Sequence, residues 1–350
     1  MRRITRITTV GIASAALALS ATACGKSSTE SGSGSDSKAT KAAIAYDIGG
    51  RGDQSFNDAA YAGLKRAQEE LGAKIAEGEP SDGEGDADKV QRLTALARAG
   101  NNPVIGVGFA YAPAIEKVAK QYPKTTFGLI DDTSKTGPNI ANLVFNEEQG
   151  SYLAGVAAAK ASKTGTVGFI GGVEVPLIKK FEAGFAQGVK DTNPKAKVLT
   201  QYLTQPPNFD GFSKPDLGKA AAQGQLDKGA DVIYAAAGLA GAGAIEAAAS
   251  DGKWAIGVDS DQYNQAGLSS YKEHILTSVT KDVSDSVFNL IKSVKDGKPQ
   301  TGEVRYGLAQ DGVGLADSNP AYKKMTDVIA AVDKAKKDIV DGKITVKTAP

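Results

Sequence analysis

The sequence predicts an α/β protein of two lobes, each a parallel sheet with helices on both faces, and a cleft between them. Three observations carry that expectation. From residue 43 onward, short apolar runs alternate with longer stretches of helical periodicity, the pattern of parallel strands joined by crossover helices. The 350 residues exceed what one core usually organises. An internal echo repeats the opening motif: Ile48-Gly49-Gly50 then Phe56 and Gly63, and Ile170-Gly171-Gly172 then Phe181 and Gly188. Each copy leaves a strand and enters a helix, as two similar lobes require.

The N-terminus reads as a leader. Arg2, Arg3 and Arg6 precede an apolar stretch, and Ala21-Thr22-Ala23-Cys24 places a cysteine after small residues. That arrangement describes a secretory signal over 1–23, with Cys24 where a bacterial lipobox carries its lipidated (palmitate-bearing) residue. Ala21 stands where such boxes carry Leu, so an ordinary signal with an incidental cysteine is the plainer alternative. Residues 24–42 are Ser/Gly-rich and without apolar periodicity; as a coil such a tether reaches roughly 20–25 Å. No later stretch offers the run of about 18 apolar residues that a membrane span needs.

The element around which the chain is organised is 43–71. An apolar run ends at Asp47, a glycine-rich turn follows, and apolar positions recur from Phe56 through Leu64 to Leu71 at helical spacing. Ser55 with Asp58 three residues on reads as a capping box, making Ser55 the N-cap. Further strands are expected at 103–108, 126–130, 165–170, 196–203, 232–236, 254–258 and 276–279. Helices are expected at 88–99, 113–121, 148–161, 179–191, 216–228 and 243–249. Val328, Val332, Ala335 and Ile339 predict a final helix packed on one lobe. The first lobe is expected over 43–148 plus about 276–298, the second over 149–275 plus about 299–350.

Composition narrows the chemistry. Lys and Arg total 41 against 40 Asp and Glu; losing the three leader arginines turns a net +1 into −2, so no broad cationic face for nucleic acid is expected. One cysteine excludes an internal disulfide framework. His274 is the only histidine and lies beside Lys272 and Glu273, which argues against Ser-His-Asp, Cys-His and histidine metal sites. No metal or cofactor is expected. Gly238-Leu239-Ala240-Gly241-Ala242-Gly243 lacks the G-x-G-x-x-G order and reads as a helix entrance. In an open α/β sheet, ligands bind beyond the carboxyl ends of the strands, where Asp47, Phe56 and Asn57 are expected to meet.

Asp47-Ile48-Gly49-Gly50 with Asp53-Gln54-Ser55-Phe56-Asn57 resembles the opening motif of the basic membrane protein family, the PnrA-like nucleoside-binding lipoproteins. The resemblance continues through Phe145-Asn146-Glu147-Glu148-Gln149-Gly150, Ala230-Asp231-Val232-Ile233-Tyr234, Ile256-Gly257-Val258-Asp259-Ser260-Asp261-Gln262 and Ser278-Val279-Thr280-Lys281. It implies a type I periplasmic-binding-protein fold, with hinge and interlobe cleft, that delivers nucleosides to the permease and ATPase of an ABC importer. It implies a monomer held by a lipid anchor on the extracytoplasmic face of the cell membrane. By the same resemblance Phe56 and Tyr234 sandwich the base, Asn57 and Asp131 read its polar edge, and Asp47, Asp259 and Lys281 hold the ribose. Gly238 and Leu239 belong to a turn beside the ligand, where Leu239 replaces a family glycine; a side chain there takes room or bars φ > 0.

Plainer roles stand beside these. Phe56 and Tyr234 also fit core positions, Asp131 a cap or loop acid, Asp259 a turn and Lys281 a surface charge. A sugar or autoinducer receptor of the same fold is the alternative binding function. Convergent carboxylates such as Asp47, Asp53, Asp131 and Asp259 leave a glycoside or nucleoside hydrolase as the enzymatic alternative.

Overall fold

The computed structural model describes residues 39–350. The signal, Cys24 and the tether up to residue 38 lie outside the described residues. The strands are β1 (Lys41–Ala45), β2 (Lys74–Gly78), β3 (Val104–Gly106), β4 (Phe127–Ile130), β5 (Ile140–Phe145), β6 (Thr166–Val173), β7 (Lys197–Thr204), β8 (Val232–Ala236), β9 (Trp254–Asp259), β10 (Ile275–Lys281), β11 (Gly302–Tyr306) and β12 (Val313–Leu315). The helices are α1 (Phe56–Leu71), α2 (Asp86–Arg98), α3 (Ala112–Gln121), α4 (Glu147–Ala161), α5 (Pro176–Thr192), α6 (Pro215–Leu226), α7 (Ala240–Ser250), α8 (Val283–Lys295), α9 (Pro320–Lys323) and α10 (Thr326–Val340). Among them none is long and apolar enough to cross a membrane.

The strands form two six-stranded sheets, ordered β11-β5-β4-β3-β1-β2 and β12-β10-β9-β8-β6-β7. Pairing is parallel except for β10 with β12. Both faces of each sheet are buried, which is why the strands read as apolar runs. Along β1, Ala42 and Ile44 pack with Leu64 of α1 and Leu290 of α8, while Ala43 and Ala45 pack with Leu93 of α2 and Ile115 of α3. Along β8, Val232 and Tyr234 face the α4–α5 side, and Ile233 and Ala235 the α6–α7 side.

The repeated glycines sit where helices cross. A Cβ at Gly63 would lie 2.3 Å from the Ser284 carbonyl oxygen of α8, and one at Gly188 2.1 Å from that of Tyr152 on α4. The echo thus marks a device found in both lobes, a glycine that lets two helices approach closely.

Lobe membership differs from expectation at two strands. β10 pairs with β9 in the second sheet, and the return to the first lobe begins with α8, which packs on α1. β11, expected in the second lobe, extends the first sheet beside β5. A strand's own composition does not say which sheet edge it joins; that is decided by the crossovers, here from β5 to α4, β10 to α8 and β11 to β12. The final helix packs on α4 through the expected residues, Val328, Val332, Ala335 and Ile339 all being buried.

Candidate functional site

A cavity of about 60 Å³ lies between the carboxyl ends of the two sheets, the position at which open α/β folds place their ligands. Asp47 follows β1 and Asp131 follows β4 on one side; Ala236 ends β8, Asp259 ends β9 and Lys281 ends β10 on the other. Phe56 and Asn57 reach it from the first turn of α1, and Phe181 from α5. Phe109 and Phe212 complete an aromatic lining contributed by both lobes.

The cap of α1 differs from the expected one. The Asp53 carboxylate accepts the backbone N–H groups of Ser55, Asn57 and Asp58 at 3.0, 2.8 and 3.1 Å. Asp58 is turned back to the loop, accepting from the N–H of Gly52 and of Gln54. Ser55 is therefore released from capping, and its Oγ donates across the cleft to Asp259 Oδ2 at 2.5 Å. Asn57 Oδ1 accepts the Asp47 N–H at 2.9 Å, which ties the end of β1 to the start of α1.

Lys281 is the charge centre. Its ammonium lies 2.5 Å from Asp131 Oδ2 and 3.5 Å from Glu147 Oε1, with all three side chains at most 3% exposed. The Phe56, Phe145 and Phe181 ring centroids are 4.8, 5.1 and 5.8 Å from the same nitrogen, an aromatic surround that favours a cation. Burial works against the Lys281 charge, but Asp131, Glu147 and Asp259 outweigh it and raise the group above the usual lysine range. Asp131 adopts φ +69°; burial pushes its carboxyl up while Lys281 pulls it down.

Two carboxylate oxygens lining the cavity, Asp47 Oδ1 and Asp131 Oδ1, are enclosed without a hydrogen-bond partner among the described residues. Burial pushes the Asp47 carboxyl up to about 7. Gly108 makes room for that side chain: a Cβ there would lie 2.3 Å from Asp47 Oδ2, and its φ is +96°. Asp259, at φ +64°, is also raised, mainly by burial, with Lys281 and Ser55 opposing.

A profile of the family described as ABC transporter substrate-binding protein PnrA-like matches residues 40–348. This chain belongs to that family. It is 36% identical over 348 residues to the CD4+ T-cell-stimulating antigen of Listeria innocua, covering 94% of each protein. It is 34% identical to the ABC transporter nucleoside-binding protein BmpA of Lactococcus lactis, covering 99% of each. An ABC transporter solute-binding protein from Aeropyrum pernix superposes with a TM-score of 0.76 at 28% identity, over 88% of this chain and 93% of that one. The fold is the periplasmic-binding-protein type, and the chain is a PnrA-like substrate-binding component of an ABC transporter.

Against this frame, seven of the nine residues expected at the ligand line the cavity: Asp47, Phe56, Asn57, Asp131, Gly238, Asp259 and Lys281. Two do not. Tyr234 is fully buried inside β8, its ring 5.6 and 5.3 Å from those of Phe169 and Phe185, its hydroxyl 3.2 Å from Ser151 Oγ. It lies two residues short of Ala236, where the strand reaches the cavity. Leu239 has φ −58° at the start of α7, so no left-handed backbone is strained there, and it faces a wider crevice beside Gly49, Glu79 and Phe209. Residues missed in the PnrA-like sequence are Ser55, Glu147, Phe181 and Phe212. Glu147 and Phe181 stand inside conspicuous motifs; Phe212 lies in a loop with no periodic signal. Among the described residues, no group of three or more His, Cys, Asp or Glu side chains is arranged to hold a metal.

The acid-rich lining predicts that enclosure of these carboxyls depends on pH. A carboxyl whose pKa is higher in the enclosed state than in water favours that state fully below its solvated pKa and ceases to as pH climbs through the raised value. For Asp47 that window runs from 3.8 to about 7. The groups acting on Asp47 are Lys89, Asp131 and Glu84, and those on Asp131 are Lys281, Glu147 and Asp259. Small-angle scattering of the ligand-free protein should show its radius of gyration growing between about pH 4 and 7; a constant radius contradicts the electrostatic reading.

Proposed function

We propose that this protein binds a purine nucleoside between its lobes and presents it, unconverted, to an ABC permease and its ATPase. One observation carries the reading: rings from both lobes share a cavity with carboxylates and a lysine placed at strand ends. Flat aromatic faces hold a base by stacking. Charged acceptors and an ammonium suit hydroxyls and amide edges. The base lies against Phe56, with Phe181 and Phe212 rather than Tyr234 opposite. Asn57 and Asp131 meet its edge, and Asp47, Asp259 and Lys281 meet the ribose. The unpartnered oxygens of Asp47 and Asp131 accept the ligand's donors. A ligand that gains these contacts only when both lobes touch it shifts the population toward closure by hinge motion. The nucleoside-binding name of the Lactococcus relative supports the same choice. Cys24 carries the lipid that holds the protein at the extracytoplasmic membrane face.

A thermal-shift panel of nucleosides, free bases and sugars tests the reading, because a ligand of the native state raises the melting temperature. Purine nucleosides are expected to give the largest rise. A response to sugars alone would identify a sugar receptor, and catalytic release of free base would identify a hydrolase. Phe56→Ala should cost about 1–3 kcal/mol of purine nucleoside affinity by calorimetry. With no loss, Phe56 is only the first core residue of its helix.

A further inference from the structure

Five hydrogen bonds join the loop before α1 to the end of β9 and the segment after it, and all run between the two lobes. Ser55 Oγ donates to Asp259 Oδ2 at 2.5 Å and, at 3.4 Å, to the Val258 carbonyl. The Gln54 carbonyl accepts from Ser260 Oγ and Gln262 Nε2, each at 3.0 Å. The Gln54 side-chain oxygen accepts the Gly267 N–H at 3.0 Å. Both jaws of this junction hold non-glycine residues in the left-handed region, Gln54 at φ +56° and Asp259 at φ +64°. Such backbone persists only where surrounding contacts over-determine it, and it gathers at ligand clamps and switches. Gly267 fits the same logic, since a Cβ there would lie 2.9 Å from Gln54 Cδ.

We propose that Gln54 and Ser55 form an interlobe latch, in which Ser55 is a positioning residue that aims the Asp259 carboxylate into the cavity while Gln54 holds the 258–267 segment against the first lobe. The latch does not use Phe56 or Lys281, and its hydrogen bonds run only between groups of the chain itself. With Oδ2 held by Ser55, Asp259 presents Oδ1 to the cavity in one fixed direction. The lobes therefore close onto a carboxylate already oriented, and the protein spends less binding free energy on ordering it. The orienting part of this proposal rests on the nucleoside reading; the latch itself does not.

The experiment separates the two. Small-angle scattering on the ligand-free chain compares the wild type with Ser55→Ala and Ser260→Ala, two single-atom deletions on opposite jaws, and with Gly267→Ala, whose added methyl meets the Gln54 side chain. All three variants are expected to show a larger radius of gyration than the wild type, with unchanged circular dichroism. Radii equal to the wild type's in the folded variants overturn the latch. Stopped-flow dissociation of adenosine then reads the orienting role. Ser55→Ala should release the nucleoside roughly tenfold faster or more, the scale of one charged hydrogen bond, and Ser55→Thr should restore the rate. A dissociation rate unchanged in Ser55→Ala overturns the positioning role. If no nucleoside binds the wild type, the nucleoside reading fails while the scattering result stands.

Discussion

Lys281→Met is expected to lower the unfolding free energy by about 3–5 kcal/mol, the usual penalty for removing one member of a buried ion pair. The reason lies in what remains. Asp131 and Glu147, 2.5 and 3.5 Å from the ammonium, would be left as buried acids without that cation, and Met supplies bulk but no charge. Urea denaturation measures the loss. The double variant Lys281→Met/Asp131→Asn should recover part of it, because the charge left without its partner is then removed as well. A single variant as stable as the wild type would mean that the ammonium is solvated elsewhere and does not organise the floor of the cleft. Affinity should fall with the same substitution, but a stability loss in the ligand-free protein would make Lys281 part of the architecture as well as of the site.

Asp259→Asn is the second large effect, and it separates binding from folding. Asn tolerates a left-handed φ better than most residues, so the +64° backbone survives, and removing a buried charge relieves desolvation. Ligand-free stability should hold or rise slightly. Riboside affinity should fall by about 1.5–3 kcal/mol, the worth of a hydrogen bond to a charged group, and a 2′-deoxyriboside should lose less. Calorimetry on the two nucleosides reads the difference directly. Equal affinity of wild type and variant for the riboside would remove Asp259 from the sugar side.

Much of this was legible in the chain, for reasons that differ from residue to residue. Asp47, Asp131, Asp259 and Lys281 were pointed to by the family resemblance, and their places at or just after strand ends, where a parallel sheet opens onto its ligand, agree with it. Phe56 and Asn57 were findable because they begin the helix that follows the first such end. Tyr234 misled because an aromatic residue inside an apolar strand looks the same whether it faces a core or a cavity; only the register, two residues short of Ala236, decides. Ser55 misled in the opposite way. Its spacing to Asp58 satisfies a capping pattern, yet Asp53 takes the helix N–H groups first, and the freed hydroxyl finds a partner some 200 residues along the chain. β2 carries no apolar run because it is an edge strand with partly exposed side chains. β5, although buried throughout, has Asn142 at its centre bracing the 132–135 loop with its amide. Such long-range and edge effects have no local signature.

The central claim is that aromatic rings of both lobes and the acids at the strand ends share one ligand. A crystal structure of the protein grown with a purine nucleoside tests it most directly. The account predicts the base against the Phe56 ring and a ribose hydroxyl within hydrogen-bond distance of the Asp259 carboxylate. Nucleoside density in the wider crevice beside Glu79 and Leu239, with the Phe56 wall left uncontacted, would contradict it.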